Sequence, residues 1–351
     1  MSGNSIATTS EAAEAQKRKG LRVAIAVSIG FTLSVACGSI VPFLGPLFAA
    51  QFLLASSRPL PMAKTVGMAI IILAAGAFCM GLTSLLGEKP ISFLMILGLA
   101  YFICFFIQAS GKGGPAIFLI LVVGIMVPLL GILNRELANS ILSILVIGVL
   151  TGAGLMWLAY ACVPEPVTVT AQAIPTVVQP NPWLRAFANT VILLFAVAVC
   201  LTNDKLAAAL VIPITVASLL GQIDSTASMR AATGLAVVNL FGGISASIAF
   251  GILNLRPNLL FMFVIVLVVT LFIGGRAASR SAEARMFEGA LTIFLVLFGL
   301  GVSPLPGSAA ESFSTRIIYV AGAISYVFLT TSLLWTRQRQ TIIDLEGRHR
   351  G

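Results

Sequence analysis

From residue 21 to residue 336 the chain is a succession of apolar runs, each about 17 to 26 residues long, cut by short clusters of glycine, proline and charge. An α-helix rises 1.5 Å per residue and the hydrocarbon core of a bilayer is ~30 Å thick, so runs of this length are what a membrane-crossing helix needs. Only 9% of the 351 residues are charged and 58% are hydrophobic. A soluble domain is nearer a quarter charged, and no soluble fold of this size has enough interior for so much apolar surface. An outer-membrane barrel would show short segments of alternating polarity instead. The expected fold class is therefore all-α, a polytopic helical membrane protein. Candidate spans are 21–38, 40–57, 64–87, 91–109, 115–133, 138–163, 185–202, 205–221, 230–253, 258–275, 287–303 and 314–336.

The breaks are chemically consistent with tight turns. Arg58-Pro59-Leu60-Pro61, Gly87-Glu88-Lys89-Pro90, Gly111-Lys112-Gly113-Gly114-Pro115 and Asn203-Asp204-Lys205 are turn clusters. The single long break, at 164–184, carries five prolines and is too polar to span, so it reads as an extended linker. The resulting division is a polar tail at 1–19, a first transmembrane unit at 20–163, the linker at 164–184, a second unit at 185–336 and a basic tail at 337–351. Ser34-Val35-Ala36 loosely fits a signal-peptidase site, but apolar sequence resumes at once, so the first run reads as an uncleaved span.

The two units echo each other. Met229–Pro257 repeats Met62–Pro90 at an offset of 167 residues: Met62 pairs with Met229, Gly67 with Gly234, Gly76 with Gly243, Pro90 with Pro257 and, upstream, Pro46 with Pro213. Aligned without gaps, 46–95 and 213–262 share eleven identities in fifty positions. The expectation is a tandem duplication of a six-helix membrane unit.

Lys/Arg placement orients the chain. Twelve spans with a cytoplasmic N-terminus put sixteen of the 21 basic residues inside and five outside. The runs at 40–57 and 205–221 are short and contain proline, so the alternative is ten spans with two re-entrant helices, which gives fifteen against six. Twelve spans make the repeats parallel and ten make them inverted. The small or polar break before each short run favours twelve.

The net charge of +9 sits at segment ends, where it anchors the chain to headgroups, and no nucleic-acid partner is implied. Cys37, Cys79, Cys104, Cys162 and Cys200 are far apart, with no CxxC and no metal-ligand spacing, and His349 lies alone in the polar tail. The sequence contains no GxSxG, HExxH, P-loop or dinucleotide fingerprint. Neither enzyme, metal nor cofactor is expected, and any transport would draw on an ion gradient, a partner protein or the solute's own gradient.

Candidate functional residues are the polar groups that an apolar span must justify. Amides inside spans want partners on other helices or along a water path. Asn239 lies one turn before Gly242 and Gly243 and so shares their helical face; Gln51 belongs to the short second run. Lys64 and Arg230 sit at the cytoplasmic ends of the repeated helices, with Arg58 just upstream, and paired cations there would attract an anionic solute. Glu288, in the first turn of the eleventh run, and Asp204, after the seventh, are the edge carboxylates suited to proton coupling. Gly67, Gly76, Gly234, Gly242 and Gly243 read as helix-packing positions. Each has a plainer reading as a headgroup anchor, helix-dipole carboxylate or close helix contact.

The set Pro213, Gln222, Arg230, Gly234, Asn239, Gly242 and Gly243, with Pro46, Gln51, Lys64 and Gly67 in the first half, resembles the fusaric-acid-resistance (FUSC-like) membrane proteins and their small bacterial branch known only as a domain of unknown function. That resemblance covers about 20–165 and 184–336. It implies an inner-membrane efflux component for aromatic or other organic acids, working beside a periplasmic adaptor of the membrane-fusion type. The chain departs from the larger exporters in having a linker of about twenty residues where they carry a sizeable cytoplasmic domain. The expectation is thus a transporter of small organic anions in contact with lipid, alone or as a homo-oligomer, and the alternative is a non-transporting scaffold subunit of a larger assembly.

Overall fold

The structure is a computed structural model, and it describes residues 3–56, 58–111, 115–133, 135–165, 181–202, 211–223, 229–279, 284–303, 318–319 and 321–331. Among them every regular element is a helix: α1 (Gly3–Ala36), α2 (Leu44–Ala55), α3 (Met62–Leu86), α4 (Pro90–Ala109), α5 (Pro115–Leu133), α6 (Arg135–Cys162), α7 (Pro182–Thr202), α8 (Val211–Ile223), α9 (Met229–Leu255), α10 (Leu259–Ala277), α11 (Ala284–Val302) and α12 (Ala321–Thr331). Seven described segments are long and apolar enough to cross a bilayer, in α1, α3, α4, α6, α7, α9 and α10. Exposed side chains on these helices, such as Ile70, Phe78, Met95, Leu99, Val264 and Val268, form the apolar face that lipid covers.

The shorter helices are the inner ones. Residues 44–54 of α2, 121–130 of α5, 213–220 of α8 and 289–300 of α11 are all buried, so these stretches are wrapped by protein. α2 packs on α11 and α5 on α8, and within each half α2 meets α5 and α8 meets α11. The long helices form the sheath around them.

The two halves follow one plan. α2 and α8 start 167 residues apart, as do α3 and α9, while the starts of α4 and α10 and of α5 and α11 differ by 169. Neighbours repeat as well: α1 lies along α10 as α4 lies along α7, α5 meets α8 as α11 meets α2, and α3·α5 recurs as α9·α11. A unit and its two-fold-related copy would produce this pattern.

Contact registers fix how the helices run. Gly30 of α1 meets Leu155 of α6 while Arg22 reaches Val163, so α1 and α6 are antiparallel. Gly45 meets Thr151 and Gly152 meets Phe48, so α2 runs parallel to α6 and ends on the face where α1 enters. Against α11, Phe43 meets Gly299 and Gln51 meets Thr292, so that pair is antiparallel. Gly234 with Met286 and Gly301 with Phe250 make α9 and α11 parallel. Each of these directions follows from strict alternation in which α2 counts as a crossing. A re-entrant α2 would leave α6 ending on the opposite face, so the ten-span alternative does not describe this chain.

α2 itself is 12 residues, roughly 18 Å, too short for ~30 Å of hydrocarbon. Residues 37–43 supply the rest as irregular backbone, turning at Gly38 (φ 69°). Residues 37, 38 and 40 are exposed at the end of α1, and residues 41–43, which lead down into α2, are buried, as irregular backbone at membrane depth must be. Side chains from neighbouring helices serve its carbonyls. Ser303 Oγ donates to Ile40, Lys19 Nζ to Leu54 at 2.7 Å, Tyr160 Oη to Ser56 and Trp157 Nε1 to Leu60 at 3.1 Å.

The polar segment 1–19 is helical from Gly3, continuous with the first span. Its alanine, glutamate, glutamine and lysine are strong helix formers, and Glu14 pairs with Arg18 one turn later at 2.6 Å.

Candidate functional site

The buried polar side chains of the inner helices are few: Gln51 of α2, Thr215 and Ser218 of α8 and Thr292 of α11 among the described residues. Gln51 of α2 is 8% exposed, and its Nε2 donates to Thr292 Oγ1 of α11 at 3.1 Å. Thr292 Oγ1 in turn donates to the Glu288 carbonyl, 3.0 Å away. The link crosses from the first half of the chain to the second.

Asn239 approaches the same stretch of α11 from α9. It is fully buried, three residues before Gly242, and a Cβ built on Gly242 would lie 2.4 Å from the Ala290 carbonyl oxygen. Residues three apart on a helix share a face, so Asn239 is turned toward α11. Glu288 is half-buried one turn before Thr292. Two sequence candidates from two other helices, Gln51 and Asn239, therefore approach residues 286–292 of α11, which hold the third, Glu288.

The other candidates are more scattered. Lys64, in the first turn of α3, and Arg58, between α2 and α3, are both exposed; the Arg58 backbone N–H donates to Ser56 Oγ at 3.1 Å. Arg230 begins α9, but its side chain lies outside the described residues, as do that of Gln222 and all of Asp204. Gly76 packs against Leu142, whose Cδ1 would lie 2.1 Å from an added Cβ, and Gly234 faces Met286. Gly243 is buried, and its carbonyl accepts from Ser247 Oγ. Gly67 is not a packing glycine: a Cβ there meets nothing within 4 Å. Gly67 and Gly76 are nine residues apart, two and a half turns at 3.6 residues per turn, so they fall on opposite faces of α3.

The sequence counted Arg22 only among the anchoring cations, yet it is 1% exposed. Its Nε donates to the Val163 carbonyl at 2.7 Å, Nη1 pairs with Glu165 Oε2 at 2.5 Å, and its guanidinium carbon sits 4.4 Å from the centre of the Tyr160 ring. Nothing local distinguishes Arg22 from Arg18, which is 37% exposed. The difference comes from the end of α6, more than 140 residues away, folding over it. Among the described residues no cluster of three or more His, Cys, Asp or Glu is placed to hold a metal.

Residues 19–159, which carry α1 to α6, match the sequence model of a family described as "Protein of unknown function (DUF2955)". The match ends before the second half. No curated protein and no solved structure matches the chain.

Proposed function

We propose that this multi-pass membrane protein is an inner-membrane transporter of the FUSC-like kind, exporting small organic anions, aromatic acids among them. The observation that carries the reading is the hydrogen bond from Gln51 to Thr292. It makes a polar link between the two halves within the inner layer, where a buried amide must find a partner on another helix or along a water path. Glu288 and Asn239 beside it add a carboxylate and an amide, groups suited to a polar path or proton coupling. The basic bias puts the face where α1 enters in the cytoplasm, with Lys64 and Arg58 exposed to draw anions to it. Both termini are then cytoplasmic, and an adaptor protein or a second copy would complete a larger export path.

The test is efflux from proteoliposomes that contain the full chain and are loaded with radiolabelled benzoate, salicylate or fusaric acid. The reading expects efflux above protein-free vesicles, and a fall on Gln51→Leu. No efflux of any of the three acids, with or without a proton gradient, would falsify it.

A further inference from the structure

The guanidinium of Arg22 is buried at the face where α1 enters, yet only part of its donor set is used. Nε and Nη1 have partners, while Nη2, equally buried, has no acceptor among the described residues. Buried polar atoms are nearly always satisfied, so an open Nη2 asks for an explanation. Arginine holds a carboxylate best as a fork, two parallel N–H donors on two oxygens. Glu165 meets Arg22 through one oxygen and one nitrogen instead.

Glu165 is also placed to leave. It lies beyond the last turn of α6, on the non-helical segment 163–165, and its side chain is 20% exposed against 1% for Arg22. Swinging it away breaks no helical hydrogen bond. The remaining parts of the pocket are fixed by helices: Tyr160 stacks on the guanidinium from α6, the Val163 carbonyl holds Nε, and Lys19 is tied to Leu54 one turn before Arg22. An arginine serving only as a headgroup anchor would extend its charged end into water, as long basic side chains do near span ends.

We propose that Arg22 is a carboxylate-binding residue of the transporter and that Glu165 is its resident internal competitor. An organic carboxylate displaces Glu165, takes Nη1 and Nη2 together in the forked geometry, and leaves Nε on Val163. This rests on the organic-anion reading above and names the binding group for it. The affinity of the site is then lowered by the fraction of time Glu165 occupies it.

The experiment is equilibrium binding of radiolabelled benzoate to the purified full chain in nanodiscs of uncharged lipid. Glu165→Gln and Glu165→Ala should tighten binding about tenfold, the gain expected if the internal carboxylate occupies the site ~90% of the time. Adding Arg22→Gln to Glu165→Gln should abolish the gain. Because the key result is a gain of binding, a misfolded variant cannot mimic it. Inorganic phosphate and phosphatidylglycerol nanodiscs are the competing arms, and neither should displace benzoate at equal concentration. Unchanged binding in both Glu165 variants, no binding in any of them, a gain that survives loss of Arg22, or equal competition by phosphate or anionic lipid would each overturn the assignment. Benzoate efflux from proteoliposomes with no effect of Glu165 on binding would sink this site and leave the transport reading standing. Tighter binding without efflux would do the reverse.

Discussion

Gly20 of α1 lies so close to Gly275 of α10 that a Cβ on Gly20 would sit 2.8 Å from the Gly275 Cα, whereas a Cβ on Gly275 would meet nothing within 4 Å. The contact is one-sided because each helix presents a different edge to the other. Gly20→Ala must push backbone against backbone, and a main chain cannot rotate out of the way as a side-chain tip can. Overpacking of this kind costs about 1–3 kcal/mol. Gly20→Ala is expected to lower the thermal midpoint of the detergent-solubilised protein, and Gly275→Ala to leave it where it was. Equal effects from the two would show that the α1–α10 seam is not as close as described.

Gly242 and Gly67 make a second contrast. The first abuts the Ala290 backbone and the second faces open space, although both were legible in the sequence only as small residues in an apolar helix. Gly242→Ala should separate α9 from α11 and move Asn239 away from residues 286–292, reducing both stability and benzoate efflux. Gly67→Ala should be silent in both assays, or slightly stabilising, since alanine is favoured over glycine within a helix by up to about 1 kcal/mol.

The Gln51–Thr292 bond is separable from packing by a double-mutant cycle. Thr292→Val keeps the shape and removes the acceptor, and Gln51→Leu removes the donor. Interhelical side-chain bonds of this type in membrane proteins are worth about 0.6 kcal/mol on average and reach about 1.7. A coupling energy in that range from thermal unfolding, with efflux lowered in each single variant, is the expected outcome. Zero coupling would mean that the two side chains do not meet.

How far the fold was readable follows from where its information lies. The helices were visible because apolar runs and turn clusters are local, and the boundaries of α3 and α9 fall at the residues where the repeat begins, Met62 and Met229. Which helices lie inside was not visible. Lipid is as apolar as a protein core, so α2 and α11 read like their lipid-facing neighbours. Gln51 stood out because an amide in hydrocarbon needs a partner; Thr292 did not, because a helical threonine satisfies itself on the preceding turn, as this one does on Glu288. Arg22 was hidden for another reason. Its burial is decided by Tyr160, Val163 and Glu165, a chain-distant set that no local pattern in α1 announces.

The alternation of the helices can be tested with native cysteines. Cys37 follows α1 and Cys162 ends α6, and both are exposed, while Cys79, Cys104 and Cys200 are buried. Counting α2 as a crossing puts Cys37 and Cys162 on opposite faces of the membrane; a re-entrant α2 would put them on the same face. A membrane-impermeant maleimide added to intact cells is therefore expected to label one of the two, identified by single Cys→Ser variants, and to reach the other only after permeabilisation. The basic bias of the face where α1 enters makes Cys37 the one labelled from outside. Labelling of both from the same side would contradict the parallel arrangement of the halves. It would also separate Arg22 from Glu165, since Arg22 lies near the entry of α1 and Glu165 three residues beyond Cys162.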